Sequence, residues 1–140
     1  MVVEDSDDDY DIMMEAFSIY NNVKNPVVRF EDGKEALRYL NDLSEAKEQS
    51  KDHFPGIILL DLNLPGIDGR EVLRQVKSNE RLRKIPVVIL TTSQDERDIE
   101  DCYAIGANTY IQKPVDLDKF FEAIKQLNEY WFEIAILPKE

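Results

Sequence analysis

The chain has 140 residues, of which 43% are hydrophobic, and these values fit a single domain with one core. Its 17 basic and 29 acidic residues give a formal net charge of -12, and this acidic excess argues against nucleic acid as a partner. Without a signal-like N-terminus or a membrane-length apolar run, and with Cys102 as the only cysteine, the sequence predicts a cytoplasmic protein that has no disulfide and no contact with a membrane.

Apolar runs alternate with segments of helical period along the chain. In chain order, the pattern predicts a strand at Val2–Val3, a helix with Ile12, Met13, Ala16, Phe17 and Tyr20 on one face, a strand at Pro26–Phe30, a helix at Gly33–Leu43, a strand at Ile57–Leu60, a helix near 69–78, a strand at Pro86–Leu90, a helix near 95–104, a strand at Asn108–Gln112 and a helix at Asp116–Trp131. The polar segment 44–53 either extends the second helix or forms a solvated loop.

Five short apolar strands in strict alternation with five helices predict a parallel sheet that is covered on both faces. Right-handed crossovers then give a doubly wound α/β sandwich of the (βα)5 type. In such folds the functional site lies at the carboxyl ends of the strands. The residues that directly follow the predicted strands are therefore the candidate site residues.

Polar side chains follow four of the five predicted strands: Glu4 and Asp5, then Asp61, then Thr91 and Thr92, and finally Lys113. Carboxylates held close together repel each other, and a hard divalent ion such as Mg2+ relieves that repulsion through oxygen ligands. Together with the Lys113 ammonium, such an ion suits a phosphoryl group. Asp61 is then the predicted nucleophile, and the Thr91 hydroxyl can donate to a phosphoryl oxygen.

Other acids, the cysteine and the histidine have plain structural interpretations. Asp7, Asp8 and Asp9 fit the N-terminus of the first helix, where carboxylates complement the helix dipole. Asp68 is predicted to cap the third helix, and Cys102 to be a small buried apolar residue. His53 is predicted to be a surface residue, since no second histidine or cysteine lies near it in sequence.

Taken together, these motifs resemble the receiver domain of two-component response regulators. The matching features are Glu4-Asp5 in "VVEDS", Asp61 in "LLDLNLPGIDG", Thr91 in "VVILTTS", Gly106-Ala107, Tyr110 and Lys113-Pro114. The match extends over about residues 1–130, and the resemblance implies a receiver domain at 1–131 with a flavodoxin-like or CheY-like sheet of strand order 2-1-3-4-5.

The resemblance also implies roles for individual residues. Asp61 would accept a phosphoryl group from a phosphohistidine on a sensor histidine kinase, and the protein would signal by contact with a downstream protein or phosphotransfer domain. Mg2+, with Mn2+ or Ca2+ as substitutes, would be held by Glu4, Asp5, Asp61 and the Asn63 backbone carbonyl. Thr91 and Lys113 would contact the phosphoryl oxygens, Thr91 and Tyr110 would form the switch, and the Lys113–Pro114 bond would be cis.

The end of the chain is unusually apolar for a free terminus. Trp131, Phe132, Ile134, Ile136 and Leu137 lie there, and residues 132–140 form a predicted extension beyond the domain. This extension either packs back on the domain or covers a partner subunit, which would give a homodimer built with the fourth helix, fifth strand and fifth helix. The segments "EYWFEIAILP" and "TTSQDE" are similar to small regulators associated with phytochromes, which makes a phytochrome the expected kinase.

Two other functions are possible for a chain of this architecture. A Mg2+-dependent aspartyl-phosphate phosphatase or phosphotransferase would place its nucleophile after the first strand and need a cap over the substrate, whereas Asp61 follows the third strand. A flavodoxin-like carrier would need a phosphate-binding loop after the first strand, where this chain has "EDSDDD". The sequence therefore favours a phosphoacceptor signalling protein over an independent enzyme.

Overall fold

The computed structural model describes residues 1–19, 26–46 and 54–137. The strands are β1 Val2–Val3, β2 Arg29–Phe30, β3 Ile58–Leu60, β4 Val87–Thr91 and β5 Thr109–Gln112. The helices are α1 Asp7–Ile19, α2 Gly33–Glu45, α3 Gly69–Ser78, α4 Glu96–Ile105 and α5 Leu117–Asn128, and a π-helical turn follows at Glu129–Ile134. Tyr20, most of the polar segment 44–53 with His53, and residues 138–140 lie outside the described residues.

The five strands form one parallel sheet in the order β2-β1-β3-β4-β5, which confirms the predicted doubly wound α/β fold. The strand order changes direction between β1 and β3, and a crevice opens at their carboxyl ends in folds of this kind. Val3 pairs with Leu60 across these two strands. Glu4 and Asp61, which directly follow these two strands, therefore lie close together at the rim of the sheet.

The two faces of the sheet bury two separate hydrophobic clusters. Successive side chains of a strand point to opposite faces, so Ile58 and Leu60 of β3 join one cluster and Leu59 joins the other. The first cluster is completed by α2, α3 and α4, and the second by α1 and α5. Both faces of β3 and β4 are fully covered, which explains why their sequences are continuously apolar.

Aspartate caps begin four of the helices. Asp32, Asp68, Asp95 and Asp116 each accept a hydrogen bond from a backbone N–H in the first turn of α2, α3, α4 and α5. The predicted cap at Asp68 is confirmed. At the start of α1 the acceptor is a serine instead, since the Asp9 N–H donates to Ser6 Oγ at 3.2 Å.

The largest differences from the predicted element boundaries are at β2 and at the end of α5. The second strand was predicted at Pro26–Phe30, but β2 has only the two residues that find partners on the equally short β1. The last helix was predicted as regular to Trp131, but α5 ends at Asn128 and widens into the π-helical turn. Among the helices of the described segments, none combines the length and the apolarity that a membrane crossing requires.

Gly69, at the start of α3, allows close packing beneath the loop that carries Asp61. A Cβ atom at Gly69 would lie 2.1 Å from the Asp61 carbonyl oxygen and 2.7 Å from Leu62 Cα. We expect Gly69→Ala to lower the free energy of unfolding by about 1–3 kcal/mol, because backbone must move to admit the methyl group. Urea unfolding measures this change.

Gly66 offers the matched control for Gly69→Ala. Its φ is +73°, and a Cβ there would have nothing within 4 Å. Because asparagine tolerates this backbone region, Gly66→Asn should cost less than about 1 kcal/mol. Equal losses for the two variants would contradict the packing explanation.

Candidate phosphoryl-acceptor site

Three carboxylates meet at the carboxyl ends of β1 and β3. Oxygen atoms of Glu4, Asp5 and Asp61 all lie within 4.8 Å of one another. Glu4 is only 1% exposed and Asp61 only 7%, whereas Asp5 is exposed to solvent. The structure thus brings together the three acidic side chains that the sequence assigned to a metal site.

Lys113, which follows β5, reaches into this cluster. Its Nζ donates to Asp61 Oδ2 at 3.1 Å, to Asp9 Oδ2 at 2.9 Å and to Glu4 Oε1. Lys113 is 6% exposed, so these contacts are made largely away from solvent. One ammonium group therefore faces several carboxylates, and the site carries surplus negative charge.

Burial, together with the neighbouring charges, shifts the pKa values of Glu4 and Lys113. Burial raises the pKa of Glu4 to about 7; the Lys113 hydrogen bond opposes this effect, and the nearby Asp61 charge adds to it. Burial opposes the charge on Lys113, but the Glu4 hydrogen bond and the Asp61 charge outweigh burial and raise the pKa of Lys113. The Lys113 ammonium therefore stays charged, but its single positive charge does not balance the negative charge of the surrounding carboxylates.

The donor set fits a hard divalent cation. All three side chains offer oxygen, which Mg2+, Mn2+ and Ca2+ prefer, and exposed Asp5 leaves a side open to solvent and to ligand water. A divalent ion would also supply the positive charge that the buried Glu4 and Asp61 lack. The Asn63 N–H donates to Asp61 Oδ1 at 3.2 Å, while the predicted role of the Asn63 carbonyl stays a prediction.

Thr91 is the last residue of β4 and is fully buried. Its Oγ1 accepts from Asn63 Nδ2 at 3.5 Å and from the Ser93 N–H at 3.4 Å. Both contacts use the oxygen as an acceptor, so the hydroxyl proton can be donated to a third group. This arrangement is compatible with the predicted contact to a phosphoryl oxygen.

Tyr110 lies on β5 and is partly buried. Its hydroxyl donates to the Ser93 carbonyl at 2.9 Å, and its backbone N–H donates to the Tyr103 hydroxyl at 3.1 Å. Tyr110 and Thr91 therefore share Ser93 as a neighbour in the loop between β4 and α4. The switch role of the pair stays a prediction.

The expectation of a cis bond before Pro114 is wrong. The described residues contain no cis peptide bond, so Lys113–Pro114 is trans. The trans form is favoured by about 0.5–1 kcal/mol before proline. With the trans bond, the Lys113 N–H donates to the Thr91 carbonyl at 2.6 Å and its Nζ donates to Asp61 Oδ2 at 3.1 Å.

One side chain at the centre of the site was assigned a purely structural role from the sequence. Asp9 lies in the first turn of α1, as predicted, but its carboxylate also contacts Lys113. Side chains in a helix tilt toward its N-terminus, and the N-terminus of α1 adjoins the strand ends. An acid one turn after Asp5 was the signal that could have identified it.

Comparisons with known proteins agree with this geometry. A family model described as the response regulator receiver domain matches residues 1–125. The response regulator Rcp1 of Synechocystis sp. is 36% identical over 138 residues, which cover 99% of this chain and 91% of that protein.

Solved structures give the same result. The phosphorylated cyanobacterial phytochrome response regulator RcpA is 41% identical with a TM-score of 0.89, over 99% of this chain and 96% of that chain. The Mn2+-bound form of Rcp1 has the same TM-score of 0.89 and the same coverage, at 36% identity. The predicted similarity to phytochrome-associated regulators is thereby confirmed. The chain belongs to the response regulator receiver domain family, whose members are phosphoacceptor proteins of two-component signalling.

Proposed function

We propose that Asp61 is the phosphoacceptor of this receiver and that its donor is a phosphohistidine on a sensor histidine kinase. An Asp61 carboxylate oxygen attacks phosphorus, the O–P bond forms, and the P–N bond breaks with its electron pair returning to the imidazole. The observation that carries the proposal is the buried Asp61 carboxylate at the end of β3, held between Lys113 and two further acids. In-line phosphoryl transfer needs a nucleophile with cations around the phosphoryl oxygens, which Lys113 and a divalent ion held by the acids would provide.

The surrounding residues take separate parts in the proposal. Glu4, Asp5, Asp61 and the Asn63 carbonyl would hold Mg2+, or Mn2+ or Ca2+ in its place, which would supply positive charge beside the phosphoryl oxygens. Lys113 binds one of those oxygens after leaving its contact with Asp61 Oδ2, and Thr91 donates its hydroxyl to another. These roles are supported by the contacts of Lys113 and by the two acceptor contacts of Thr91.

The partners follow from the relatives. Because similar proteins are phytochrome response regulators, we propose a phytochrome as the kinase. The proposed compartment is the cytoplasm, as the sequence predicts. The output is contact with a downstream protein or a phosphotransfer domain. The chain then turns over only its own phosphoryl group and is not an independent enzyme.

Beryllofluoride, which mimics a bound phosphoryl group, tests the proposal without a kinase. In isothermal titration, we expect Mg2+ to bind the wild-type protein and beryllofluoride to bind only after Mg2+ is present. Asp61→Ala should bind no beryllofluoride, while Asp118→Ala, an exposed acid on α5, should behave as wild type. Absence of Mg2+-dependent beryllofluoride binding in the wild type would refute the site.

Thr91→Val keeps the shape of this buried side chain and removes the hydroxyl. Since the hydroxyl can no longer donate a hydrogen bond to the anionic mimic, we expect beryllofluoride to bind about tenfold more weakly, with Mg2+ affinity unchanged. Isothermal titration measures both constants. An equal loss for Mg2+ would show that Thr91 supports the metal acids rather than the phosphoryl group.

We also propose that residues 132–140 act as an extension of the 1–131 receiver that contributes to a homodimer with α4, β5 and α5. Trp131 and Phe132 pack against the second core cluster, and a Cβ on Gly56 would lie 3.1 Å from Leu137. Ile134 and Ile136, by contrast, are 70% and 98% exposed. Exposed apolar side chains that lie close together in sequence can mark an interface, which supports the proposal.

The oligomeric state of the full chain and of two variants tests whether residues 132–140 contribute to a homodimer. We expect the full chain to elute as a dimer in gel filtration with light scattering, and a chain that ends at Tyr130 to elute as a monomer. The double variant Ile134→Ser and Ile136→Ser should also be monomeric, because it removes exposed apolar contacts and leaves Phe132 in place. If both variants still eluted as dimers, this result would contradict the proposal.

A further inference from the structure

Ser93, in the loop between β4 and α4, is in contact on three sides. Its N–H donates to Thr91 Oγ1 at 3.4 Å, and its carbonyl accepts from the Tyr110 hydroxyl at 2.9 Å. Its own hydroxyl donates to Asp98 Oδ2 at 2.6 Å and accepts from the Asp95 N–H at 3.3 Å. The first two contacts use backbone atoms, which any residue would have, so the contacts of the hydroxyl are the ones that the sequence selects.

Asp98, on α4, is held in turn from α3. Arg70 donates to Asp98 Oδ1 through Nε at 3.1 Å and forms an ion pair with it through Nη2. The same guanidinium donates through Nη1 to Asp68, the residue that caps α3, at 2.9 Å. Side-chain contacts therefore run from the start of α3 to the loop beside Thr91.

The contacts from Asp68 through Arg70 and Asp98 to Ser93 form a path, and this path begins next to Asp61. Gly69, between Asp68 and Arg70, donates its N–H to the Leu62 carbonyl at 2.9 Å and packs on the backbone of Asp61. The start of α3 is thus fixed to the Asp61 loop by backbone contacts. The path from there through Arg70 and Asp98 to Ser93 connects the two loops that flank the site.

The charged part of the path is only partly exposed. The side chains of Arg70 and Asp98 are 26% and 18% exposed. The Ser93 hydroxyl, and then Arg70, hold the pKa of the Asp98 carboxyl below its ordinary value. The loop residues on either side, Thr92 and Gln94, are exposed, so Ser93 is the inward anchor of this loop.

We propose that Arg70 and Asp98 are positioning residues that act through the Ser93 hydroxyl to hold Thr91 and Tyr110 ready for a phosphoryl group on Asp61. The proposal rests on the proposed function of the site. A donor that is already in place costs no reorganisation when the ligand arrives. Breaking the path should therefore weaken phosphoryl-group binding and leave Mg2+ binding to Glu4 and Asp5 unchanged.

A pair of variants of nearly equal shape isolates the Ser93 hydroxyl. Ser93→Thr keeps the hydroxyl and Ser93→Val replaces it with a methyl group, so both add similar bulk. We expect Ser93→Thr to bind beryllofluoride as tightly as wild type and Ser93→Val to bind about tenfold more weakly, the loss typical of one hydrogen bond to a charged group. Isothermal titration with Mg2+ present measures both variants, and Mg2+ affinity is measured separately.

The path itself is tested by combining variants. Asp98→Ala should match the loss of Ser93→Val, and the double variant should lose no more than either one, because both break the same connection. Arg70→Gln should weaken beryllofluoride binding, whereas Arg74→Gln, which removes an exposed arginine one turn along α3, should not.

The outcomes separate the two proposals. If wild type shows no Mg2+-dependent beryllofluoride binding, the acceptor site and the positioning path both fail. If wild type binds and Ser93→Val binds equally well, only the positioning path is refuted. Additive losses in the double variant, or equal weakening of Mg2+ and beryllofluoride, would also overturn it. A lower melting temperature with unchanged beryllofluoride affinity would mark the path as purely structural.

Discussion

Asp61→Asn is expected to reduce formation of the phosphoryl adduct to background when the protein is incubated with Mg2+ and a small phosphoryl donor such as phosphoramidate. The amide keeps the size and most of the contacts of the carboxylate, but its oxygen is uncharged and a poor nucleophile. The wild type should gain the mass of one phosphoryl group per chain. Intact-mass spectrometry at intervals gives the rate for both proteins.

Two controls are needed to interpret a loss of phosphoryl labelling in Asp61→Asn. Asp118→Asn changes an exposed acid on α5 and should be labelled at the wild-type rate. EDTA should suppress labelling of the wild type, since the surplus negative charge around Asp61 otherwise repels the donor. Labelling of Asp61→Asn at the wild-type rate would place the acceptor elsewhere.

Lys113→Met is expected to separate stability from metal binding. The substitution leaves Glu4 and Asp61 buried without their cation, and loss of one partner of a buried ion pair costs about 3–5 kcal/mol. We expect a loss of this size in urea unfolding with EDTA present. The loss should shrink when Mg2+ is added, because a divalent ion supplies the charge that the ammonium provided.

The same variant should be a poor phosphoryl acceptor although it binds metal well. With the competing ammonium gone, Mg2+ affinity should equal or exceed that of the wild type, while the rate of labelling from phosphoramidate should fall about 100-fold or more. Lys119→Met, at an exposed position on α5, is the control for both measurements. Mg2+ affinity that fell in parallel with labelling would indicate that Lys113 only supports the fold.

The fold and the centre of the site were predictable because they depend on patterns that are local in sequence. Continuous apolar segments such as Ile58–Leu60 identify buried parallel strands, and parallel strands bring their ends to one rim. Asp61 and Lys113 were therefore predicted to meet although 52 residues separate them. The pairing of β3 with β4 and of β4 with β5 brings these two strand ends close enough for a direct contact.

The remaining features depend on packing that no local pattern records. The length of β2 is set by its partner β1, and α5 widens into the π-helical turn where its apolar pattern continues unchanged. The connection of Ser93 and Arg70 through Asp98 joins two helices and a loop, and each of these residues alone looks like ordinary polar surface. Only the three-dimensional placement distinguishes them.

Locating the phosphoryl group chemically tests whether Asp61 is the phosphoacceptor. Borohydride reduces an aspartyl phosphate to homoserine, so peptide mapping after phosphoramidate, Mg2+ and borohydride identifies the modified residue. Homoserine is expected at position 61 and nowhere else, and none is expected when EDTA replaces Mg2+. An unmodified Asp61, or conversion at another acid, would contradict it.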